Sequence, residues 1–525
     1  MAIILVAAIA LAAYTVYGAI WRLYLSPIAH IPGPRIAAVT LWYEFYYDVI
    51  LGGQYTFKII KLHKKYGPIL RISPWEVHIG DPDYYHTLYC SSASGQKRDK
   101  NPWFTKSFGL NLSTSGTPEH DLHKLRRGAI GVFFSMTSVR KLEGLIRDRA
   151  LALLKRFDEF KESGEVLMAS WAFSAFTNDI VMSYSFGRSD NRIEAPDFDP
   201  SYRDASFFGS TMENPLKHAP WINQLFLAIP DSIARLLHPA MTEFIRQKRL
   251  KDCPQNTQKQ IESIIAGIND SDKSISHATI FHQILHSKLP PHEKTLPRLT
   301  DEAQVMMMAG TLTVAWTLEV IMYWLCRQPD TLKALKTELK TVMPEINTVV
   351  PLTTLETLPY LNAVIKEGLR LTYGVSCRLM RSCPDAEMKY TDPETGKEWI
   401  IPAGVPVGLS SVQIHHDKSI FPDSKHFYPE RWLKAAAEGK NLDKYLISFT
   451  AGARICLGRD LAYAELYINL SNVWRRWGST GYRDESDVGV FELYETTLRD
   501  VEIEADHFLP IQQPGTKGIR VRCYT

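Results

Sequence analysis

Cysteine is scarce in this chain, and what there is does not pair. The 525 residues hold seven (Cys90, Cys253, Cys326, Cys377, Cys383, Cys456 and Cys523), scattered and without a Cys-x-x-Cys spacing. An odd, sparse set argues against a disulfide framework and for a reducing compartment, where a thiol can serve as a thiolate. An excess of either charge is missing too. The 60 Lys+Arg against 57 Asp+Glu leave a formal +3, which gives no reason to expect nucleic acid as a partner. Beyond residue 35 there is no low-complexity linker, internal repeat or long charge run, so residues 36–525 read as one domain. With 45% hydrophobic and 22% charged residues, that domain can bury a large core.

What is present begins with an apolar run. Ala2 to Ile20 carry no charge, and about 20 such residues in a helix cross a hydrocarbon core. No basic residue precedes the run, and it exceeds the ~7–15-residue core of a cleaved signal peptide. Residues 1–25 therefore read as an uncleaved transmembrane anchor. Arg22 and Arg35 follow the run, which keeps the bulk of the chain cytosolic, and Trp21 and Tyr24 suit the membrane interface. Residues 26–35, containing Pro27 and Ile31-Pro32-Gly33-Pro34-Arg35, read as a stiff hinge, because proline fixes φ and cannot continue a helix. After it, apolar residues three and four apart, as over 139–160 and 173–186, predict mostly helix. Strand-like runs lie near 69–79, 387–401 and 518–524, and helical spacing of Ile261, Ile264, Ile265 and Ile268 predicts a surface helix over 255–273. The expected fold is mostly α with a minor β-sheet component.

One loop carries the chemistry. Phe449-Thr450-Ala451-Gly452-Ala453-Arg454-Ile455-Cys456-Leu457-Gly458 places five specified residues within ten positions. Backbone N–H groups aimed at the Cys456 sulfur would lower its pKa. Gly452 and Gly458 allow a sharp turn and a close approach to a flat ring. Phe449 can shield the sulfur, and Arg454 can pair with a carboxylate of that ring. The loop matches Phe-x-x-Gly-x-Arg-x-Cys-x-Gly at every fixed position and resembles the cysteine-ligand loop of the cytochrome P450 family. The resemblance implies the P450 fold and haem b, with Cys456 as axial iron ligand favouring O–O cleavage.

A helical run opens at Thr300, with Asp301 and Glu302 in its first turn, and stops before Pro329. Inside it, Ala309-Gly310-Thr311-Leu312-Thr313 offers a small Ala-Gly pair that leaves room for a ligand, then a hydroxyl able to relay protons. It resembles the family's oxygen-activating Ala/Gly-Gly-x-Asp/Glu-Thr, which makes Thr313 the candidate catalytic residue. The departure is Leu312, where the pattern has an acid: leucine cannot shuttle a proton.

Pro359 opens a helix containing Glu367-Gly368-Leu369-Arg370, and Phe427-Tyr428-Pro429-Glu430-Arg431-Trp432 follows. The pair of segments resembles the family's Glu-x-x-Arg helix and Pro-Glu-Arg segment. This implies a structural triad of Glu367, Arg370 and Arg431 that holds the Cys456 loop against the core. Haem propionates need basic partners. Arg126, in His120-Asp121-Leu122-His123-Lys124-Leu125-Arg126-Arg127, matches the Arg of the family's Trp-x-x-x-Arg with Leu122 in place of Trp. Arg381 and Arg454 are the other candidates, His123 is a candidate for the lost hydrogen bond, and Arg127 and Lys124 read as a solvated face. By resemblance Phe104, Phe108, Ala309 and Val375 line an apolar substrate pocket. His415-His416-Asp417 reads as a structural turn, since adjacent extended residues face opposite ways.

These features span essentially the whole chain, and the text between them resembles trichodiene-oxygenase-like fungal enzymes of secondary metabolism. The resemblance implies an NADPH- and O2-dependent haem-thiolate monooxygenase that hydroxylates or epoxidises an apolar metabolite, a terpenoid first, with polyketide or alkaloid scaffolds as alternatives. It implies a single-pass endoplasmic reticulum protein facing the cytosol. Electrons would come from membrane-bound NADPH–cytochrome P450 reductase, with cytochrome b5 as an optional second donor. Leu312 leaves desaturation, rearrangement or peroxide-driven oxidation open as alternatives, and a non-catalytic haem-binding protein is the reading from another class.

Overall fold

The computed structural model describes residues 1–249, 261–262 and 279–525. Most of the 255–273 stretch therefore lies outside the described residues. The architecture is mostly helical with small sheets. Seven helices matter for the site: α1 (Ala2–Ile20), α2 (His120–Ile130), α3 (Glu143–Ser163), α4 (Ala169–Phe186), α5 (Leu296–Arg327), α6 (Pro359–Thr372) and α7 (Arg459–Arg476). α5 runs through the main core, where Leu318, Ile321 and Leu325 are buried with residues of α3, α4, α6 and α7. It begins a turn earlier than Thr300, at Leu296, because Pro297 sits in its first turn, where a missing N–H costs nothing. Glu302 thus falls in the second turn and is buried, accepting hydrogen bonds from Thr114 and Arg298.

Glycines set how closely α5 is approached. A Cβ on Gly310 would stand 2.4 Å from Val181 Cγ2 of α4, and one on Gly368 of α6 would stand 2.5 Å from Ile321. Gly310 is therefore a packing residue as well as a wall of the cavity described below.

A five-stranded sheet runs in the order Ile69–Arg71, Val77–Ile79, Val407–Gly408, Arg381–Ser382, Asp99–Lys100. A four-stranded sheet is ordered Val166–Met168, Arg520–Tyr524, Gly489–Leu493, Trp477–Ser479. The 387–401 run forms an antiparallel hairpin that pairs Met388 with Ile401.

The N-terminal span Ala2–Leu25 has a mean hydropathy of 2.3 and none of it is buried. α5 is also long and apolar, but 61% of its most apolar window is buried, as expected of a core helix. The 26–35 segment is a packed elbow. Ile28 and Ile31 are buried, Arg71 N–H donates to Pro32 O at 2.7 Å, and a Cβ on Gly33 would lie 2.3 Å from Arg71 O.

Candidate active site

The Cys456 loop is fixed by its own backbone. Cys456 N–H donates to Phe449 O at 2.9 Å, and Ile455 N–H to Gly452 O at 3.1 Å. Thr450 (φ 58°) and Gly452 (φ 72°) take left-handed conformations. Gly452 makes its close approach to chain rather than to a flat ring: a Cβ there would meet Cys90 O at 2.2 Å and Tyr89 O at 2.3 Å. At Gly458 an added Cβ would meet no protein atom within 4 Å. Gly452→Ala is therefore expected to lower stability by at least the ~1–2 kcal/mol of the left-handed conformation, plus the clash, whereas Gly458→Ala changes it by under ~1 kcal/mol. Thermal melting of the two variants checks this.

Cys456 is enclosed by protein, yet its surface opens into a cavity of about 250 Å³ between this loop and α5. Phe449 lines that cavity and packs on Tyr463 with centroids 5.4 Å apart. Burial pushes the thiol above its ordinary value, and the Gly458 N–H with Arg127 and Arg459 pull it back only in part. The loop alone does not create a thiolate. A bound metal cation would supply the missing positive charge.

Around the cavity stand cations that no carboxylate in the described residues neutralises. Lys100 Nζ donates to Ser115 O, Arg127 to Ile455 O at 2.7 Å, Arg454 to Arg98, Thr117 and Pro118 carbonyls, and Arg381 to Met380 O. Burial, then the neighbouring Arg381, lowers Arg454 to about 9. Burial, then Arg454, Lys100 and Arg127, drives His123 down to about 2, so it is a neutral donor or acceptor. Desolvated like charges require an anion. A flat ligand carrying two carboxylates fits this donor set.

Arg126 is not among these groups. Its guanidinium forks onto Glu293 at 2.7 and 2.9 Å and donates to Thr117 Oγ1, outside the cavity. The residues that reach the cavity are His123 and Arg127, four apart on α2, one position later than the Leu122–Arg126 match. Burial does not separate the two arginines, since Arg126 is buried and Arg127 half-buried; Arg126 turns onto Glu293, whereas Arg127 opens with His123 onto the cavity. Arg127→Leu is expected to weaken retention of the bound group with little change in melting of the empty protein. Arg126→Leu should instead cost about 2 kcal/mol of fold stability by unpairing Glu293.

The Glu367 carboxylate is fully buried. It accepts two hydrogen bonds from Arg370 at 2.8 and 3.0 Å, and one each from Arg431 (3.0 Å), Trp432 Nε1 (3.0 Å) and Tyr428 N–H (2.9 Å). His415 carries this set to the cysteine loop. Its Nδ1 meets Arg370 O at 2.8 Å, and its Nε2 accepts from Ile447 N–H at 3.1 Å. Burial and Arg370 hold His415 near 3, so it stays neutral with a donor at one nitrogen and an acceptor at the other. Ser448 Oγ donates to Leu369 O at 2.8 Å. The segment entering the loop is thus pinned to the end of α6.

The sequence matches the cytochrome P450 family over residues 32–480. The chain belongs to that family. It is 45% identical over 509 residues to the cytochrome P450 monooxygenase tpcC of Cochliobolus heterostrophus, covering 97% of this chain and 95% of the relative. Tryptophan 6-hydroxylase fscE of Fusarium equiseti is 38% identical, with 96% and 93% covered. Cytochrome P450 monooxygenase TRI4 of Fusarium sporotrichioides is 35% identical, with 93% and 89% covered. The chain is a P450 monooxygenase of the fungal secondary-metabolism type.

In this P450 the residues able to hold haem are Cys456 on one side and Lys100, His123, Arg127 and Arg454 at the rim, with Arg381 adding charge from the strand beside Lys100. Across the cavity, Ala309, Gly310 and Thr313 present one stretch of α5. Thr313 Oγ1 donates to Ala309 O at 2.9 Å, which leaves its lone pairs free to accept. The expected pocket residues scatter. Phe104 lies tilted against Phe508 (centroids 6.5 Å apart) beside a void of only about 10 Å³, and Val375 O accepts from Ser411 Oγ at 2.7 Å. Neither lines the cavity of Cys456. The Phe108 side chain lies outside the described residues.

Sequence reasoning missed Glu465 on α7. It lines the cavity, Oε2 has no hydrogen-bond partner among the described residues, and burial holds its carboxyl well above the usual range. Asn469, one turn on, is also buried with both amide atoms unpaired. An acid followed four residues later by an amide on an otherwise apolar helix face was the available signal.

Proposed function

We propose that the chain is an NADPH- and O2-dependent haem-thiolate monooxygenase that hydroxylates or epoxidises a mainly apolar secondary metabolite of terpenoid size. The observation that carries this reading is Cys456 facing Thr313 across a cavity rimmed by unneutralised cations. Bound haem supplies the oxygen-activating chemistry. The protein's share is positional. Cys456 would ligate the iron, and the rim cations would pair with the ring carboxylates. Thr313, its own O–H tied to Ala309 O, accepts a hydrogen bond at its free lone pairs and so can hold a proton-bearing group in place, and Val305, Met306 and Val314 exclude bulk water. The apolar Ala2–Leu25 span supports anchoring in the endoplasmic reticulum membrane, with electrons from a membrane-bound NADPH-dependent reductase.

Leu312 stands where a proton-carrying acid belongs, and it faces a second cavity with apolar walls. The protein reconstituted with its reductase is therefore expected to consume more NADPH than it forms product. Leu312→Asp should raise the product-to-NADPH ratio, by up to the ~10²-fold that a positioned acid contributes. NADPH consumption measured against product tests both the activity and the role of Leu312. Tight coupling in the natural protein, unimproved by the acid, contradicts that role, and absence of NADPH-dependent product with any fed scaffold contradicts the activity.

A further inference from the structure

A cavity of about 550 Å³ flanks α5 and shares Thr313 with the Cys456 cavity. Trp171, Phe207, Leu312, Trp316 and Leu509 give it mainly apolar walls. Three polar groups lining it have no hydrogen-bond partner among the described residues. Glu319 is 4% exposed and its carboxylate makes no hydrogen bond among the described residues. Trp316 Nε1 and Ser174 Oγ are buried without a partner. The two arginines beside it are already engaged, Arg203 with Asp204 at 2.9 Å and over the Phe207 ring and Arg520 with Glu495, while Lys517 stands exposed at the cavity wall. Burial raises the Glu319 carboxyl to about 7 against the pull of Arg203, so near neutrality the group accepts hydrogen bonds whether or not it is ionised. Leu312, Trp316 and Glu319 are spaced i, i+4, i+7, which puts all three on one stripe of α5. Native proteins rarely bury polar atoms without partners, and those that persist call for a ligand or water.

We propose that this cavity binds the substrate and selects a mainly apolar ring scaffold carrying a hydrogen-bond donor, a hydroxyl or an amine, that Glu319 accepts, while Trp316 Nε1–H donates to an acceptor on the same scaffold. This rests on the monooxygenase reading and names its substrate class. Glu319 lies six residues beyond Thr313, about 9 Å along the helix axis at ~1.5 Å per residue. The donor is held at that end, so the carbon presented beside Thr313 lies at the opposite end of the scaffold. A bare hydrocarbon is then the wrong substrate, and the reaction that supplies the scaffold must deliver it with the donor in place.

The test is calorimetric titration of the full-length holoenzyme with indane, 2-indanol and 2-aminoindane, for the natural protein, Glu319→Leu and Trp316→Phe. The donor-bearing probes are expected to bind about tenfold more tightly than indane. Glu319→Leu should erase that preference while leaving indane affinity unchanged, and Trp316→Phe should leave the Glu319-dependent preference in place. A gain for both probes assigns a simple hydrogen bond, and a gain for the amine alone assigns an ion pair. Equal affinity for indane, a preference that survives Glu319→Leu, or no binding of any probe at millimolar concentration overturns the proposal. Should Glu319→Leu fail to give a normal reduced carbon monoxide spectrum, Glu319→Met, which also lacks an acceptor oxygen, takes its place and must erase the preference. Binding is measured without electrons. Failure of NADPH-dependent turnover with the preference intact would therefore count against the monooxygenase reading alone.

Discussion

Glu367→Ala is expected to destabilise the protein by about 3–5 kcal/mol, the cost of stranding a buried ion-pair partner. Five hydrogen bonds converge on this carboxylate, and its removal leaves Arg370 and Arg431 buried with backbone carbonyls as their remaining partners. A domain is stable by only ~5–15 kcal/mol in total, so the loss is a large fraction. The damage should reach the cysteine loop, because Arg370 O and Ile447 N–H are joined through His415. The expected result is a lower melting temperature together with little bound haem. Glu367→Gln should fall between, since it keeps one acceptor and loses the charge. A Glu367→Ala protein that melted within a degree or two of the natural one would contradict the structural role of the set.

How far the chain could be read in advance depended on how much physics each residue carried locally. The Cys456 loop, the α6 pair Glu367 and Arg370, and the span before the elbow are signalled by short, dense patterns. Arg126 and Arg127 show the limit. Adjacent arginines on a helix point about 100° apart, and a partner 167 residues away, Glu293, takes Arg126 and leaves Arg127 to reach the cavity. The packing of the elbow was out of view for a similar reason, since Gly33 fits against Arg71 across a loop that no local pattern reveals. Glu319 was illegible as a site residue because its significance lies in lacking a partner, which only packing discloses, and for Glu465 the acid–amide spacing was the one trace in the sequence. The large cavity draws walls from residues 166–174, 203–207 and 509–520 as well as α5, so no motif could have announced it.

Cys456→Ala is expected to abolish activity outright, the largest effect of any single change here. Among the described residues no other cysteine lines the cavity. Cys90 touches the loop, yet its thiol points to Gln96 O and its own carbonyl is occupied by Ala453 N–H. Cys326 and Cys523 are buried in the main core, and burial pushes the Cys326 thiol well above its ordinary value and the Cys523 thiol up to about 12, out of reach of ligation. Fold stability should change little, because Cys456 opens onto a cavity rather than packing into the core. The rim cations remain in the variant, so some haem can still be retained without its sulfur ligand. The decisive measurement is the absorption spectrum of reduced, carbon monoxide-treated protein, natural and Cys456→Ala side by side. A thiolate-type band in the natural protein and its complete absence from the variant is the predicted result. The same band in both would place the axial ligand elsewhere and contradict the assignment of this site.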